Sequence, residues 1–335
     1  RHIELKYLLS LMNGAYDTGI VYIILYFPLE IIAVYLGFNP DIILYRFTIF
    51  HFEIIFFGVF FSSKYFLKKY FNASGFMLYF IPTLVSLIVP ISWYTINGVI
   101  YIYPGVYALT LALLDYSLDI SNKQRLDQIL TRAAIAAIAI TLDFTDVRGI
   151  VYGVLTFFIF SLYFLVIKNG KRTIYIKEWF KVFLFGLLFF SLLNMNAIMY
   201  TVFIGPYLPK VVIPIIYGQL FIALQHVHPF YTLSQTMYWL GADYYISQYH
   251  ANVLLGVIST IIGLTALLIR KPIATLFGIF VLLVTTYNFI GVTTLGYYLA
   301  QTPYVGLLLY LYPTLLPSYF FVAPFYLLVS FSFYT

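Results

Sequence analysis

Long apolar runs separated by short polar connections dominate the chain, and this pattern predicts its secondary structure. Within the runs, apolar and polar residues do not alternate as they do in the strands of a membrane barrel. A helix that crosses a membrane needs about 20 apolar residues, and about ten segments approach that length. These segments are Gly19–Gly37, Phe47–Ser63, Phe76–Tyr94, Val99–Leu118, Ile129–Leu142, Ile150–Ile167, Val182–Phe203, Ala251–Ile269, Ile273–Ile290 and Ser318–Tyr334. The pattern therefore predicts an all-α, polytopic membrane protein.

The basic residues lie almost entirely on one side of this arrangement of helices. Of the 18 Lys and Arg residues, only Arg46, Arg148 and Lys210 fall on the opposite side. Because cytoplasmic connections are enriched in Lys and Arg, the basic loops are predicted to be cytoplasmic. The loop from Lys168 to Lys181 is the most basic of them. The placement of basic residues in the cytoplasmic loops of a membrane protein explains the net charge of +6, and no nucleic-acid partner is expected.

Two of the predicted outer connections are long, at Ile204–His250 and Gly291–Pro317. The piece Val211–Leu224 is apolar but short and contains Pro214, which is typical of a helix lying along the membrane interface. Long ordered loops usually build a site or a docking surface. We therefore expect interfacial helices in these loops, and a protein partner is an open alternative for 204–250. No internal repeat or linker divides residues 1–335, so a single membrane domain is predicted.

Composition supports a location in the cell membrane. The chain is 63% hydrophobic and only 9% charged, and its mean hydropathy is +0.95. Soluble domains carry about 25% charged residues, so this chain could not cover a surface that faces water. Many of the 34 Tyr residues are expected at helix ends, where amphipathic rings are favoured. The absence of Cys excludes disulfides and thiolate chemistry.

Ionisable residues inside the apolar runs are the first candidates for function. They are Glu30, Arg46, His51, Glu53 and Asp115. Charged groups within lipid are costly, so they face the interior of a helix bundle or water. They serve either as polar contacts that fix helix packing or as part of a substrate or ion pathway, and the sequence leaves both roles open.

A polar turn in the middle of the chain, Asp143–Gly149, lies between two apolar runs on the predicted outer side. Arg148 is one of the few outer cations, and a guanidinium can bind a phosphate with two hydrogen bonds. Asp146 could equally form a salt bridge with Arg148. Asp and Gly are also common turn residues, so a purely structural turn stays open.

Metal and haem sites are not predicted. His226 and His228 form a His-x-His pair, which can bind metal, but no fixed spacing supports a third ligand. Haem needs axial His residues within the bundle, and His51 is the only one in the middle of a run. Nucleotide-binding and common hydrolase motifs are missing from the sequence.

Three stretches resemble the GT-C superfamily, the polytopic glycosyltransferases that use polyprenyl-phosphate sugars, and most of all its arabinofuranosyltransferase-like members. Residues 27–70 resemble an early lid and helix that end in a basic inner turn. Residues 142–166 resemble a helix pair joined by an Asp-x-Arg-Gly turn, here Asp146–Gly149. Residues 293–331 resemble a late outer loop in which an interfacial helix leads through a proline corner into another span.

The resemblance implies that a sugar passes from a polyprenyl-phosphate donor to an acceptor on the outer face. It implies a carboxylate base, for which Asp17, Asp41 and Asp143 are the candidates, and cations that hold the phosphate, Arg148 and Lys210. The family places its catalytic acid in an outer loop after a first spanning helix. Asp17 and Asp41 are the nearest acids to that position, and no complete helix precedes Leu9–Asp17.

Two other functions fit the pattern. The chain could be a non-catalytic integral membrane subunit that anchors a redox or cell-surface complex through its weakly charged, aromatic outer loop 204–250. It could also be a secondary transporter, with a Pro-broken segment Gly19–Gly37 and embedded Glu53 and Asp115. In every case membrane lipid is the expected surrounding partner.

Overall fold

The computed structural model of the chain describes residues 40–97, 103–142, 147–195, 260–291 and 323–335. Within these ranges, the side chains are described for residues 52–89, 104–142, 152–168, 170–195, 260–283 and 323–335. All regular structure in the described part is helical, which confirms the predicted helical class.

Eight α-helices and one short 3-10 turn have defined bounds in the described part. The α-helices are α1 (Pro40–Phe71), α2 (Met77–Asn97), α3 (Tyr103–Leu118), α4 (Leu126–Leu142), α5 (Val147–Ile167), α6 (Arg172–Leu193), α7 (Pro272–Gly291) and α8 (Ala323–Tyr334). The 3-10 turn Asn169–Lys171 joins α5 to α6. Residues 260–268 are also helical. Within the described stretches, no helix combines the length and the apolar character that crossing a membrane requires.

Two predicted loops are helical instead. The predicted segments Gly19–Gly37 and Phe47–Ser63 leave residues 38–46 as a connection between them. This is wrong from residue 40 onward, because α1 begins at Pro40, and proline suits the first turn of a helix. The helix continues through Lys68 and Lys69 to Phe71, where Asn72 adopts a left-handed φ of 54°. Asn tolerates that conformation after a helix end.

The predicted basic loop from Lys168 to Lys181 is also wrong. Only the short turn at 169–171 separates α5 from α6, and Arg172, Lys177 and Lys181 lie within α6. Lys, Arg and Trp are compatible with helix, so the helix extends beyond its apolar part. Hydropathy marks where a helix is apolar and not where it begins.

The described residues pack as two compact units. The first unit contains residues 40–50 of α1, α3 from Leu109 onward, α4, α5 and α6. The second unit contains α1 from His51 onward, Tyr103–Ala108 of α3, α2, α7 and α8. Nothing in this division tests the expectation of a single membrane domain, which stays a prediction.

In the first unit, α4 packs more extensively against α6 than against α5. The buried face of α4 consists mainly of small residues, including Ala133, Ala136 and Ala137. Thr110 of α3 donates a hydrogen bond to the Ala139 carbonyl oxygen at 3.0 Å. Small side chains let two helix backbones come close, so the alanine-rich sequence of α4 explains the tight α4–α6 pair.

In the second unit, three aromatic rings form the centre of the core. The Phe66 ring centroid lies 5.2 Å from that of Phe277 and 6.3 Å from that of Phe331. Ser63 and Ser330 share a buried hydrogen bond of 3.1 Å beside them. These contacts join α1, α7 and α8 into one packed group.

Candidate functional site

An apolar groove lies between α4, α5 and α6 in the first unit. Its volume is about 110 Å³. It is lined by Ala136, Ala137 and Ile140 of α4, by Val154, Phe157 and Phe158 of α5, and by Phe183, Gly186, Leu187 and Phe190 of α6. Cavities with such apolar linings stay dry and take up hydrocarbon. The groove can therefore hold a few methylene or isoprene carbons.

Small residues on two helices create this groove. A Cβ atom on Gly186 would meet only the Ala133 carbonyl oxygen, at 3.6 Å. Ala136 and Ala137 stand on the α4 side of the space, while the rings of Phe157 and Phe183 stand 6.2 Å apart on the other side. The space exists because Ala136 and Ala137 of α4 and Gly186 of α6 have almost no side-chain volume.

A buried amide lies at one end of the groove. Asn194, one helical turn beyond the groove residue Phe190, is 2% exposed. Its Nδ2 donates to Thr141 Oγ1 at 2.8 Å and to the Phe190 carbonyl oxygen at 2.9 Å. Its Oδ1 accepts no hydrogen bond within the described part of the chain. A buried acceptor without a donor is costly, so this atom is a candidate to receive a polar group of a ligand.

The same end of the groove adjoins the central polar turn. The α4 helix ends at Leu142, and Arg148 lies in the first turn of α5. The groove residue Val154 is about two helical turns, or roughly 10 Å, further along α5. A chain bound in the groove would thus have one end close to the backbone of the turn that contains Arg148.

Polar side chains hold the opposite end of the unit together. Lys168 Nζ lies 2.6 Å from Asp119 Oδ1 and also contacts Ser121 Oγ. Lys171 Nζ donates to Asn122 Oδ1 at 3.1 Å. These contacts link the α3–α4 connection to the α5–α6 turn. Arg132 adds a further contact by donating to the Tyr116 carbonyl oxygen at 2.6 Å, at the end of α3.

A buried hydrogen-bond network joins α5 to the first turns of α6. The Tyr175 hydroxyl donates to the Ser161 carbonyl oxygen at 3.2 Å, and Trp179 Nε1 donates to Ser161 Oγ at 2.8 Å. Burial, followed by the negative charge of Asp119, raises the pKa of Tyr175 well above its ordinary value. Tyr175 therefore stays a neutral hydrogen-bond donor in the folded protein.

This raised pKa predicts a loss of stability at high pH. An unfolded Tyr ionises near pH 10, whereas folded Tyr175 resists ionisation. The neutral Tyr175 side chain therefore contributes fully to the free energy of unfolding below about pH 10. This contribution is lost as the pH rises from there toward the pKa of Tyr175 in the folded protein. We expect the thermal midpoint to fall more steeply between about pH 9.5 and 11 in the wild type than in Tyr175→Phe. Parallel curves would contradict the assignment.

Several predicted site residues lie within described helices. Asp115 is 0% exposed, which fits its expected interior position, and Glu53 is exposed. Asp41, Arg46 and His51 lie on α1, in a part of the helix whose side chains are outside the described residues. The sequence analysis missed Asn194, although the two Asn residues at 194 and 196 within an apolar run were a signal that could have identified it.

The remaining candidates lie outside the described residues. They are Asp17, Glu30, Asp143, Asp146, Lys210, His226, His228 and most of the predicted outer loops 204–250 and 291–317. Across the side chains that the structure describes, no group of His, Asp or Glu residues could hold a metal ion.

The chain was compared with known proteins in three ways. No protein-family model matches it. No curated protein and no solved structure shows significant similarity to it.

Proposed function

We propose that this chain is a multi-pass membrane protein that moves a sugar from a polyprenyl-phosphate donor to an acceptor on the outer face. The observation that carries the proposal is the apolar groove of the first unit. Its lining residue Phe190 lies one helical turn before Asn194, and its lining residue Val154 lies about two turns after Arg148 on α5. A polyprenyl-phosphate sugar combines three matching groups in one molecule: a hydrocarbon tail for the groove, an anionic phosphate for Arg148, and sugar hydroxyls that can donate a hydrogen bond to an acceptor such as Asn194 Oδ1.

The exposed surfaces of α5 and α6 support a membrane location. Leu162 and Val166 on α5 and Leu188 and Leu192 on α6 are all more than half exposed. A protein in water rarely exposes large apolar patches. In the sequence, Ile150–Ile167 of α5 contains no charged residue.

In this proposal each part of the lipid has its own contacts. Isoprene carbons lie in the groove, and the Arg148 guanidinium binds the phosphate with charge-assisted hydrogen bonds. Lys210 is a second candidate cation. The acceptor hydroxyl oxygen attacks the anomeric carbon of the sugar, and one of Asp17, Asp41 or Asp143 takes the hydroxyl proton. The bond from that carbon to the phosphate oxygen breaks, and polyprenyl phosphate leaves with the electron pair.

The proposal is tested by native mass spectrometry of the protein purified from its own membrane in mild detergent. We expect a co-purifying polyprenyl-phosphate sugar that is lost in Arg148→Ala, because the anionic head loses its cation. Ala137→Phe should reduce the lipid at least tenfold, since the new ring fills a cavity of only about 110 Å³.

Leu188→Phe is the matched control for the groove variant. It introduces the same ring at a position on α6 that is 53% exposed, so the lipid should remain. Equal retention in Ala137→Phe and wild type would exclude the groove as the tail site. A stoichiometric protein partner without any such lipid would replace the proposal by an anchoring membrane subunit.

A further inference from the structure

The surface where α6 begins has an excess of positive charge. Three nearby acids are already paired: Asp119 with Lys168, Asp127 with Arg125, and Glu178 with Lys181. Asp115 is fully buried. Four exposed cations have no carboxylate partner among the described residues: Lys123, Lys171, Arg172 and Lys177. We refer to these four residues as the cationic face.

The four cations lie close together in the fold. The hydrogen bond between Lys171 and Asn122 places Lys123, the neighbour of Asn122, beside the start of α6. Arg172 follows Lys171 directly, and Lys177 lies about one and a half turns further along the helix. The positive charges thus surround the connections of the first unit at the end opposite to Arg148.

Apolar side chains are interspersed with these cations. Ile176 and Phe180 are 51% and 52% exposed. They are four residues apart and so share one face of α6, and helical spacing places them between Arg172 and Lys177. Ile174 is exposed as well. Water would solvate the cations but not these side chains, so the surface suits a partner that is both anionic and apolar.

We infer that the cationic face binds anionic phospholipid of the membrane, with phosphate groups on the cations and acyl chains against Ile176 and Phe180. This inference rests on the proposed membrane location, but not on sugar transfer. Basic clusters beside membrane helices attract anionic lipid in this way. Two of the three exposed apolar side chains, Ile174 and Ile176, are aliphatic. This favours lipid over nucleic acid, because non-specific binding of nucleic acid depends on cations and aromatic stacking.

The test uses the full chain in detergent and follows lipid binding by native mass spectrometry. The probes are palmitoyl-oleoyl phosphatidylglycerol, the corresponding phosphatidylcholine, and inorganic phosphate. Phosphatidylglycerol should bind at least tenfold more tightly than phosphatidylcholine. The triple variant K171Q/R172Q/K177Q should lose phosphatidylglycerol affinity by about a hundredfold, at about fivefold for each lost charge.

The charge-preserving variant K171R/R172K/K177R is the matched control and should retain binding, because the attraction depends on charge. Unchanged phosphatidylglycerol binding in the triple Gln variant would overturn the inference. Full competition by millimolar inorganic phosphate would also overturn it, in favour of a site for free anions. An RNA oligonucleotide that binds more tightly than phosphatidylglycerol would overturn it in favour of a nucleic-acid site.

The outcome is distinguishable from failure of the proposed function. The triple Gln variant should still co-purify with the donor lipid, because the groove and Arg148 are unchanged. A wild-type chain that co-purifies with the donor lipid but binds phosphatidylglycerol no more tightly than phosphatidylcholine removes only the inference. A chain that stays folded and monodisperse without detergent removes the membrane location, and both proposals with it.

Discussion

Replacing Gly105 by alanine is expected to destabilise the second unit by about 3 kcal/mol, a large part of a typical protein's stability. A Cβ atom at this position would lie 2.5 Å from Ile55 Cα and 2.7 Å from the Ile54 carbonyl oxygen. Both are backbone atoms of α1, so no side-chain rotation relieves the clash. The α1 helix and the start of α3 would have to move apart. A thermal melt in detergent would measure the loss.

The control for this prediction is the same substitution at Gly186. A Cβ atom there makes only an ordinary contact with the Ala133 carbonyl oxygen, and alanine favours helix by about 1 kcal/mol over glycine. Gly186→Ala should therefore leave the thermal midpoint unchanged or raise it. Gly58→Ala should resemble Gly105→Ala, because its Cβ would meet the Gly105 backbone. A stable Gly105→Ala protein would mean that α1 and α3 do not cross at these glycines.

Replacing Lys168 by methionine is expected to destabilise the first unit by about 2 kcal/mol, less than the roughly 3–5 kcal/mol for breaking fully buried pairs. The side chains of Lys168 and Asp119 are 19% and 29% exposed, so water partly screens the 2.6 Å ion pair. Without the ammonium group, the partly buried Asp119 carboxylate would lose its 2.6 Å ion pair with Lys168. The measurement is the thermal midpoint near pH 7.

A double variant separates the ion pair from the packing of the lysine. Asp119→Asn combined with Lys168→Met also removes the partly buried negative charge that has lost its ammonium group, so it should recover at least half of the lost stability. The exposed Lys68 of α1 provides a control, since Lys68→Met should change stability by less than about 0.5 kcal/mol. Equal losses in the single and double variants would show that the ion pair adds nothing.

Most helix positions could be predicted from the sequence because apolar runs dominate it. The predicted segment Ile150–Ile167 and α5 end at the same residue, and the segment begins three residues after the first residue of α5, Val147. Ile273–Ile290 differs from α7 by one residue at each end. Hydrophobic burial determines the middle of each helix, and the sequence records it directly.

The polar ends of helices could not be predicted by the same signal. Arg172 to Lys181 form the first turns of α6, although their charges favour a loop on hydropathy alone. Their helical structure depends on tertiary contacts: Tyr175 and Trp179 reach Ser161 of α5. A pattern of charges along the chain cannot show such contacts between helices.

The groove could be predicted only in part. The alanines at 133, 136 and 137 indicate that a backbone comes close to α4, but not which helix supplies it. The partner is α6, with Asn194 bonded to Thr141. The alignment of α6 along α4 decides which hydrogen-bond partners Asn194 has. The sequence alone does not show that alignment, so it could not reveal that Asn194 Oδ1 lacks a donor.

The parallel pairing of α4 with α6 has a consequence for biosynthesis. Thr141 meets a residue 53 positions later in the chain, and Ala133 meets Gly186 at the same offset. At about 5–20 residues per second, the ribosome needs roughly 3–10 s to make that intervening stretch. During this interval the alanine face of α4 has been synthesised and its partner has not. The nascent chain therefore passes through a stage in which α4 and α5 are present without α6, and any factor that protects the alanine face would act within these few seconds.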